Sequence, residues 1–419
     1  MKKKNLSQWL EYLESIHPSE IEMGLGRVNS VAQAMQLIRP AGKVMLVAGT
    51  NGKGSTVTYC RSILLQAGFS VGSYMSPHLH IYNERVMING VMASDEDLIE
   101  SFEAIDQARG DVALTYFEVG TLSALYLFKK YHVDFAVIEV GLGGRLDATN
   151  IVDPDVSVVT SIGLDHQDWL GDDIDKIAFE KAGVYRKDRA AICGQLNVSK
   201  GLVDHAKNIG ANLLLKGDDF CLDISDSTWN WRGKSIDQTD ICFDNMPLPN
   251  LPLENAATAL QALVQIYPDL KQEQVEQGLK QAMLPGRMQV IETPFKGVLD
   301  VGHNPQAARL VAKRCAGVPV KGRRYGLLAM LDDKDANGVV SELNDVVDEW
   351  CLAGISGYRG QSSDQLAKKL EGLMLTNKQY GTIESALDDL AVTMTADDEV
   401  LIMGSFMTVA AAQNWLKGI

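Results

Sequence analysis

No apolar run in the sequence approaches the roughly 18 to 20 residues of a membrane-spanning helix, which argues against a helical membrane protein. Positive charge is also scarce: 39 lysines and arginines stand against 54 aspartates and glutamates, a net charge of −15 over 419 residues. Nonspecific nucleic-acid binders and polybasic membrane-surface proteins work through clustered cations, so neither partner is expected. The six cysteines (Cys60, Cys193, Cys221, Cys242, Cys315, Cys351) form no C-x-x-C pair and have no zinc-ligand spacing. Free, mostly buried thiols in a reducing compartment are expected. The basic start Met1-Lys2-Lys3-Lys4 lacks the apolar core of a signal peptide, because Gln8, Glu11, Tyr12 and Glu14 interrupt it. A cytoplasmic protein is the expectation. There is no internal repeat and no low-complexity run. What is present is ordinary globular composition, 46% hydrophobic and 22% charged, in a chain long enough for two or three domains.

Apolar spacing predicts two helices first, one over Leu6 to Ile16 and one through Val31, Ala34, Met35 and Ile38, ending before Pro40. The run Val44 to Ala48 reads as a strand buried on both faces, followed by Gly49-Thr50-Asn51-Gly52-Lys53-Gly54-Ser55-Thr56 and a helix through Ala67. Further strands are expected at Val71 to Met75, Phe135 to Val140 and Val156 to Ile162, with an apolar helix at Glu118 to Tyr131. This alternation implies right-handed β-α-β crossovers and a mainly parallel sheet. From about Leu213 to Pro252, short alternating runs suggest a small antiparallel appendage. Helices at about Leu253 to Tyr267 and Gln272 to Met283 lead to a hinge, Leu284-Pro285-Gly286-Arg287. Strands at Gly297 to Val301, Tyr325 to Met330, Glu349 to Ala353 and Glu399 to Met403 then form a smaller Rossmann-like α/β domain. Domain limits of 1–286 and 287–419 follow. Asp332 to Asp335 is expected to be a solvated loop.

The glycine-rich loop departs from the strict G-x-x-x-x-G-K-[ST] pattern, because Val47 holds the first glycine position and Gly54 precedes Ser55. Its physics is intact: small residues aim backbone N–H groups into one concavity at a helix's positive end, and Lys53 brings a mobile charge to phosphates. Ser76, Glu139 and Asp165-His166 each follow an apolar strand, and ligands of open parallel sheets bind beyond those ends. A hydroxyl, a carboxylate and an imidazole there suit divalent cations bridging phosphate oxygens. Taken alone, the pattern puts Lys181 on a solvent-facing helix beside Glu180. Asp300 and His303 stand at a strand's carboxyl end before Pro305, a favoured early helical position, and Gly404-Ser405-Phe406 repeats that placement.

The segments VAGTNGKGS from Val47, SPHL from Ser76, TYFE from Thr115, EVGLGGRLDATN from Glu139, EKAG from Glu180, NAATA from Asn255, LPGR from Leu284 and GSF from Gly404 resemble, in this order, the folylpolyglutamate synthases of the Mur ligase superfamily. The resemblance implies an ATP-dependent ligase that adds L-glutamate to dihydropteroate and to reduced folates through an acyl phosphate. It implies that Gly52, Lys53, Gly54 and Ser55 hold the triphosphate and that Ser55, Ser76, Glu139, His166 and a carbamylated Lys181 serve Mg2+. Asn255, Arg287 and Asp300 would contact ATP, and His303 and Ser405 the incoming glutamate. Lys53, Lys181 and His303 would be the catalytic residues. Glu22, Met23, Gly24, Leu25, Thr115, Tyr116, Phe117, Glu118, Leu146, Asp147 and Ala148 would line the pterin site. The first domain would be the Mur-ligase-like ATP-binding domain, the second would take glutamate and part of the nucleotide, and the protein would be a monomer. Gly302 stands where relatives often have alanine.

Three rival readings remain. A peptidoglycan ligase would need a separate substrate domain ahead of the phosphate loop, for which the 48 residues before Gly49 are too few. A folylpolyglutamate synthase without the dihydropteroate activity, and a phosphate-loop nucleotide switch without ligase chemistry, are separated from the main reading by assay.

Overall fold

The computed structural model describes residues 4–17, 19, 22–357, 359–373 and 377–418. The chain divides into two compact units, Met1–Met283 and Leu284–Ile419. It is a mixed α/β protein, each unit having its own mainly parallel sheet.

In the first unit the strands are β1 (Lys43–Ala48), β2 (Val71–Tyr74), β3 (Val86–Ile88), β4 (Val91–Met92), β5 (Phe135–Glu139), β6 (Val156–Val159), β7 (Ala190–Cys193) and β8 (Asn212–Leu215). Their order across the sheet is β4-β3-β2-β5-β1-β6-β7-β8. All pairs are parallel except β2 with β3 and β3 with β4. Residues Val44 to Ala48 of β1 are buried, as a strand covered by helices on both faces requires. The order places the carboxyl ends of β2, β5, β1 and β6 side by side, so the polar residues that follow these four strands share one rim.

Helix Lys53–Gln66 is buried on every side from Ser55 to Leu64, because it is the middle member of a helical layer. Helices Leu253–Ile266 and Gln272–Gln281 flank it, with Tyr59 donating to Leu251 O at 2.7 Å and Ser62 to Gly278 O at 2.8 Å. The appendage is a three-stranded antiparallel sheet of β9 (Cys221–Ile224), β10 (Thr228–Lys234) and β11 (Asp240–Pro247). Trp231 fixes it to the body, its indole donating to Ala257 O at 3.1 Å, and stacks on Phe243 within the appendage.

Several local expectations are corrected. Leu213 belongs not to the appendage but to β8, the edge of the main sheet, paired with Ala191 of β7. β7 itself was not anticipated: its sequence AAIC opens with two alanines, which carry no strand preference. The second helix runs Gly26–Ala34 and stops short of Ile38, because Gln36 takes a left-handed conformation (φ 58°). The helix expected from Glu118 starts at Tyr116, with Thr115 as its cap.

The second unit orders β12 (Gln289–Ile291), β13 (Gly297–Asp300), β14 (Arg324–Leu328), β15 (Glu349–Ala353), β16 (Asn377–Tyr380) and β17 (Glu399–Met403) as β12-β13-β17-β14-β15-β16. Only β12 is antiparallel to its neighbour. The 332–335 loop is held by ion pairs, Asp332 to Lys369 at 2.6 Å and Asp333 to Arg359.

Candidate active site

Beyond β1 the chain turns through Gly49 to Gly52 into helix Lys53–Gln66, and the segment after β6 braces the turn. Thr50 N–H donates to Ser161 O at 2.8 Å, Asn51 N–H to Ser161 Oγ at 3.0 Å, and the Thr160 hydroxyl to Asn51 O at 2.6 Å. The first of this helix's residues to bond back within it is Thr56, whose N–H reaches Gly52 O at 2.9 Å. The amides of Gly52, Lys53, Gly54 and Ser55 therefore lie ahead of the intrahelical ladder at the positive helix end, where an anion is favoured. Gly52 has φ 87°, and a Cβ there would lie 2.4 Å from Asn255 Oδ1, so the structure brings Asn255 onto the loop. Lys53 folds over the loop, Nζ donating to Gly49 O at 3.0 Å and Thr50 O at 3.2 Å.

Glu139 ends β5, is only 6% exposed, and accepts from Ser76 N–H at 3.2 Å, so these two expected ligands are in contact. His166 and Lys181 line one depression with Gly49, Thr50, Lys53 and Asp165. The solvent-facing reading of Lys181 is wrong: the side chain is 4% exposed. The cause lies in the glycine loop after β5. A Cβ on Gly144 would sit 2.7 Å from Glu180 O and 2.8 Å from Lys181 O, so only glycine lets the loop lie against the last turn of helix Ile174–Ala182. Arg145 N–H donates to Glu180 O at 2.8 Å and its guanidinium pairs with the Glu180 carboxylate, so Glu180 faces outward and Lys181 inward. Burial, with a smaller contribution from the nearby Lys53 charge, pushes the Lys181 ammonium down to about 7, opposed by Asp165 and Asp147. Gly144→Ala is expected to displace this turn, lowering Tm by several degrees and ligase turnover by more than about tenfold; thermal unfolding and a phosphate-release assay check both.

The remaining segments gather around the same glycine loop. Thr115 and Glu118 form a capping box: Thr115 N–H donates to Glu118 Oε2 at 2.7 Å, and Glu118 N–H to Thr115 Oγ1 at 3.2 Å. Arg27 joins Glu118 (3.3 Å) to Glu22. Phe117 packs against Gly141, and Met23 approaches Gly143. Asp147, buried, accepts from Leu142 N–H at 2.8 Å and Thr149 N–H at 2.9 Å; burial raises its pKa. Gly24 and Leu25 lead into helix Gly26–Ala34, Tyr116 opens helix Tyr116–Lys130, and Leu146 and Ala148 flank Asp147.

In the second unit Asp300 ends β13 and accepts from Gly302 N–H at 2.7 Å and Met288 N–H at 3.0 Å, with Arg287 at 3.7 Å. His303 Nδ1 lies 2.9 Å from Val301 O. Ser405 follows the adjacent β17 and caps helix Phe406–Lys417, accepting from Thr408 N–H at 2.9 Å. The braces Thr160, Ser161 and Gly163, the last exchanging hydrogen bonds with the Thr50 hydroxyl, are additions to the expected site and carry no sequence signal, whereas Asp165, beside His166 after a strand, does and lines the depression.

A phosphate loop at the centre of a parallel sheet, with a buried lysine and a carboxylate on the same rim, defines an ATP-dependent enzyme. Residues 47–219 match the Mur ligase middle domain and residues 286–406 the Mur ligase glutamate ligase domain. The dihydrofolate synthase/folylpolyglutamate synthase of Escherichia coli strain K12 is 43% identical over 405 residues, 97% of this chain and 94% of that one. The structure of E. coli FolC in complex with DHPP and ADP superposes with a TM-score of 0.94 at 42% identity, covering 99% and 98% of the two chains. A bifunctional folylpolyglutamate synthase/dihydrofolate synthase with Mn, AMPPNP and L-glutamate bound gives a TM-score of 0.92 at 43% identity, with the same coverage. The chain belongs to the dihydrofolate synthase/folylpolyglutamate synthase family of Mur ligases, and is an ATP-dependent ligase. Among the described residues no helix is long and apolar enough to cross a membrane.

Proposed function

We propose that this enzyme joins L-glutamate to dihydropteroate and to reduced folates, each through an acyl phosphate, in the cytoplasm and as a monomer. The observation that carries this reading is the shared depression of Lys53, His166 and Lys181, bordered on the sheet by the Ser76–Glu139 pair.

The amides of Gly52 to Ser55 cradle the triphosphate, with Asn255 beside them. The substrate carboxylate attacks the γ-phosphorus; its O–P bond forms as the bond to the β-phosphate oxygen breaks and ADP leaves. Lys53 leaves its loop carbonyls to meet the charge on the transferring group. The amine of glutamate then attacks the acyl carbon, forming the amide and releasing phosphate and a proton. Arg287 and Asp300 contact the nucleotide, and His303 and Ser405 the glutamate. Glu22 to Leu25, Thr115 to Glu118 and Leu146 to Ala148 hold the pterin.

The donors fit Mg2+. Among the described residues no three His, Cys, Asp or Glu side chains form a ready-made cage. Mg2+ keeps waters and takes phosphate oxygens beside one or two carboxylates, so a sparse protein set is what it requires. Ser55, Ser76, Glu139, His166 and Lys181 would hold it, and bound Mg2+ neutralises charge on the phosphoryl oxygens. Lys181 serves as a carbamate: its neutral amine attacks CO2, the N–C bond forms, and a proton is lost, turning a cation into a carboxylate-like ligand.

The test is phosphate release from ATP with glutamate and either dihydropteroate or a reduced folate. Both pteroates are expected to give glutamate-dependent release. Release with the folate alone would reduce the reading to a folylpolyglutamate synthase, and hydrolysis indifferent to pteroate and glutamate would overturn it in favour of a nucleotide switch.

A further inference from the structure

Arg85 carries a charge that none of the steps above uses. It ends the short turn Tyr82–Arg85 before β3, and its carbonyl accepts from Met75 N–H at 2.9 Å, which places it on the rim beyond β2, next to Ser76. The half-buried guanidinium lies 5.3 Å from the Tyr82 ring centre and 5.5 Å from that of Tyr116, and its Nε donates to His78 Nδ1 at 2.9 Å. None of the ion pairs among the described residues includes it. The adjacent carboxylate of Glu84 is turned away, accepting from the amides of Leu79 (2.6 Å), His80 (2.8 Å) and Ile81 (3.0 Å). A half-buried guanidinium with no carboxylate is costly, and a bound anion would offset that cost.

The surroundings are built to receive one. Beyond the Nε bond to His78 and an interaction with the Tyr74 hydroxyl, the Arg85 guanidinium has N–H donors left for a carboxylate. Because His78 Nδ1 accepts from Arg85, the imidazole proton is on Nε2, a second donor. The buried hydroxyls of Tyr74 and Thr121 lie close to each other and, for Tyr74, to Arg85, without forming a well-aligned hydrogen bond. Gly120 leaves room beside them: a Cβ there would be 2.8 Å from the Tyr82 hydroxyl and 3.1 Å from that of Tyr74. Tyr116, against Arg85, belongs to the segment assigned to the pterin, whereas His78 is two residues from Ser76 at the phosphate end. Arg85 thus stands between the ring end and the reacting end of the substrate.

Resting on the ligase reading, we propose that Arg85, backed by His78 and flanked by Tyr82 and Tyr116, binds the α-carboxylate of the glutamyl residue of a folate substrate, and so determines specificity between folates and dihydropteroate. A folate presents that carboxylate beside the γ-carboxylate to be activated. Dihydropteroate has only the carboxylate that reacts.

The experiment compares a reduced folate monoglutamate with its analogue in which γ-aminobutyrate replaces glutamate, keeping the γ-carboxylate and losing the α. In the wild-type enzyme the analogue is expected to lose at least about tenfold in kcat/KM, chiefly through KM, as removal of a charge-assisted bidentate contact implies. Arg85→Gln should lose a similar factor on the folate and cease to distinguish the two, while dihydropteroate turnover falls far less. Arg85→Lys, which keeps the charge without the fork, should discriminate to an intermediate degree. Equal use of folate and analogue by the wild type overturns the proposal whatever the variants do, as does an equal fall of folate and dihydropteroate turnover in Arg85→Gln. Wild-type turnover of no pteroate at all would instead strike at the ligase reading beneath it.

Discussion

Lys181→Ala is expected to lose at least about a thousandfold in glutamate-dependent phosphate release, the scale on which loss of a group organising phosphoryl transfer is felt. The variant should fold with little change in Tm, because among the described residues the buried amine takes part in no ion pair and burial disfavours its charge. Activity without stability is the signature that separates a ligand-forming lysine from a structural one. The wild type should also be sensitive to pH through this group. The folded value of about 7 lies below the ordinary 10.5, so the amine is neutral, and open to CO2, above about pH 7. Acid protonates it and should abolish carbamate formation, read as a carbonyl signal from 13C-bicarbonate. Between about 7 and 10.5 the uncarbamylated folded chain holds fewer protons than the unfolded one, so its stability rises with pH across that window and the burial penalty is complete below it. Undiminished turnover in Lys181→Ala would reject the carbamate role.

The second large effect is expected at Lys53. Lys53→Met removes the mobile charge over the phosphate loop and should lower kcat by about a hundred- to a thousandfold, with a much smaller change in ADP affinity, because the amides of Gly52 to Ser55 remain. A coupled effect follows. The Lys53 charge helps depress the Lys181 ammonium, so its removal should raise the Lys181 value and move the acid limb of the residual activity to higher pH. A kcat–pH profile of the variant checks the shift, and an unmoved limb would show that the two lysines do not sense each other.

The central strand, its glycine loop and the following helix were legible because each is a local signal: five apolar residues, then small ones, then helical spacing. The rim was legible for the same reason, since Ser76, Glu139 and His166 each follow an apolar run. Lys181 was not legible from its own pattern. Its neighbours Phe179 and Glu180 read as an exposed helix, and its burial comes from Gly144 and Arg145, some 36 residues earlier, lying against the helix end. The braces at Thr160 and Ser161 escaped likewise, since their partners are loop atoms more than a hundred residues away. β16 escaped for a different reason: Asn377-Lys378-Gln379-Tyr380 is a polar edge strand, largely exposed, with no apolar alternation to read. The resemblance to folylpolyglutamate synthases points to Lys181 where its own helical pattern does not, and the structure shows that the side chain is buried.

The most direct measurement of the acyl-phosphate claim uses dihydropteroate labelled with 18O in its carboxylate. The account predicts one 18O in the phosphate released per amide formed, because the oxygen that attacks the γ-phosphorus leaves with it. Phosphate free of label, with amide still formed, would contradict it.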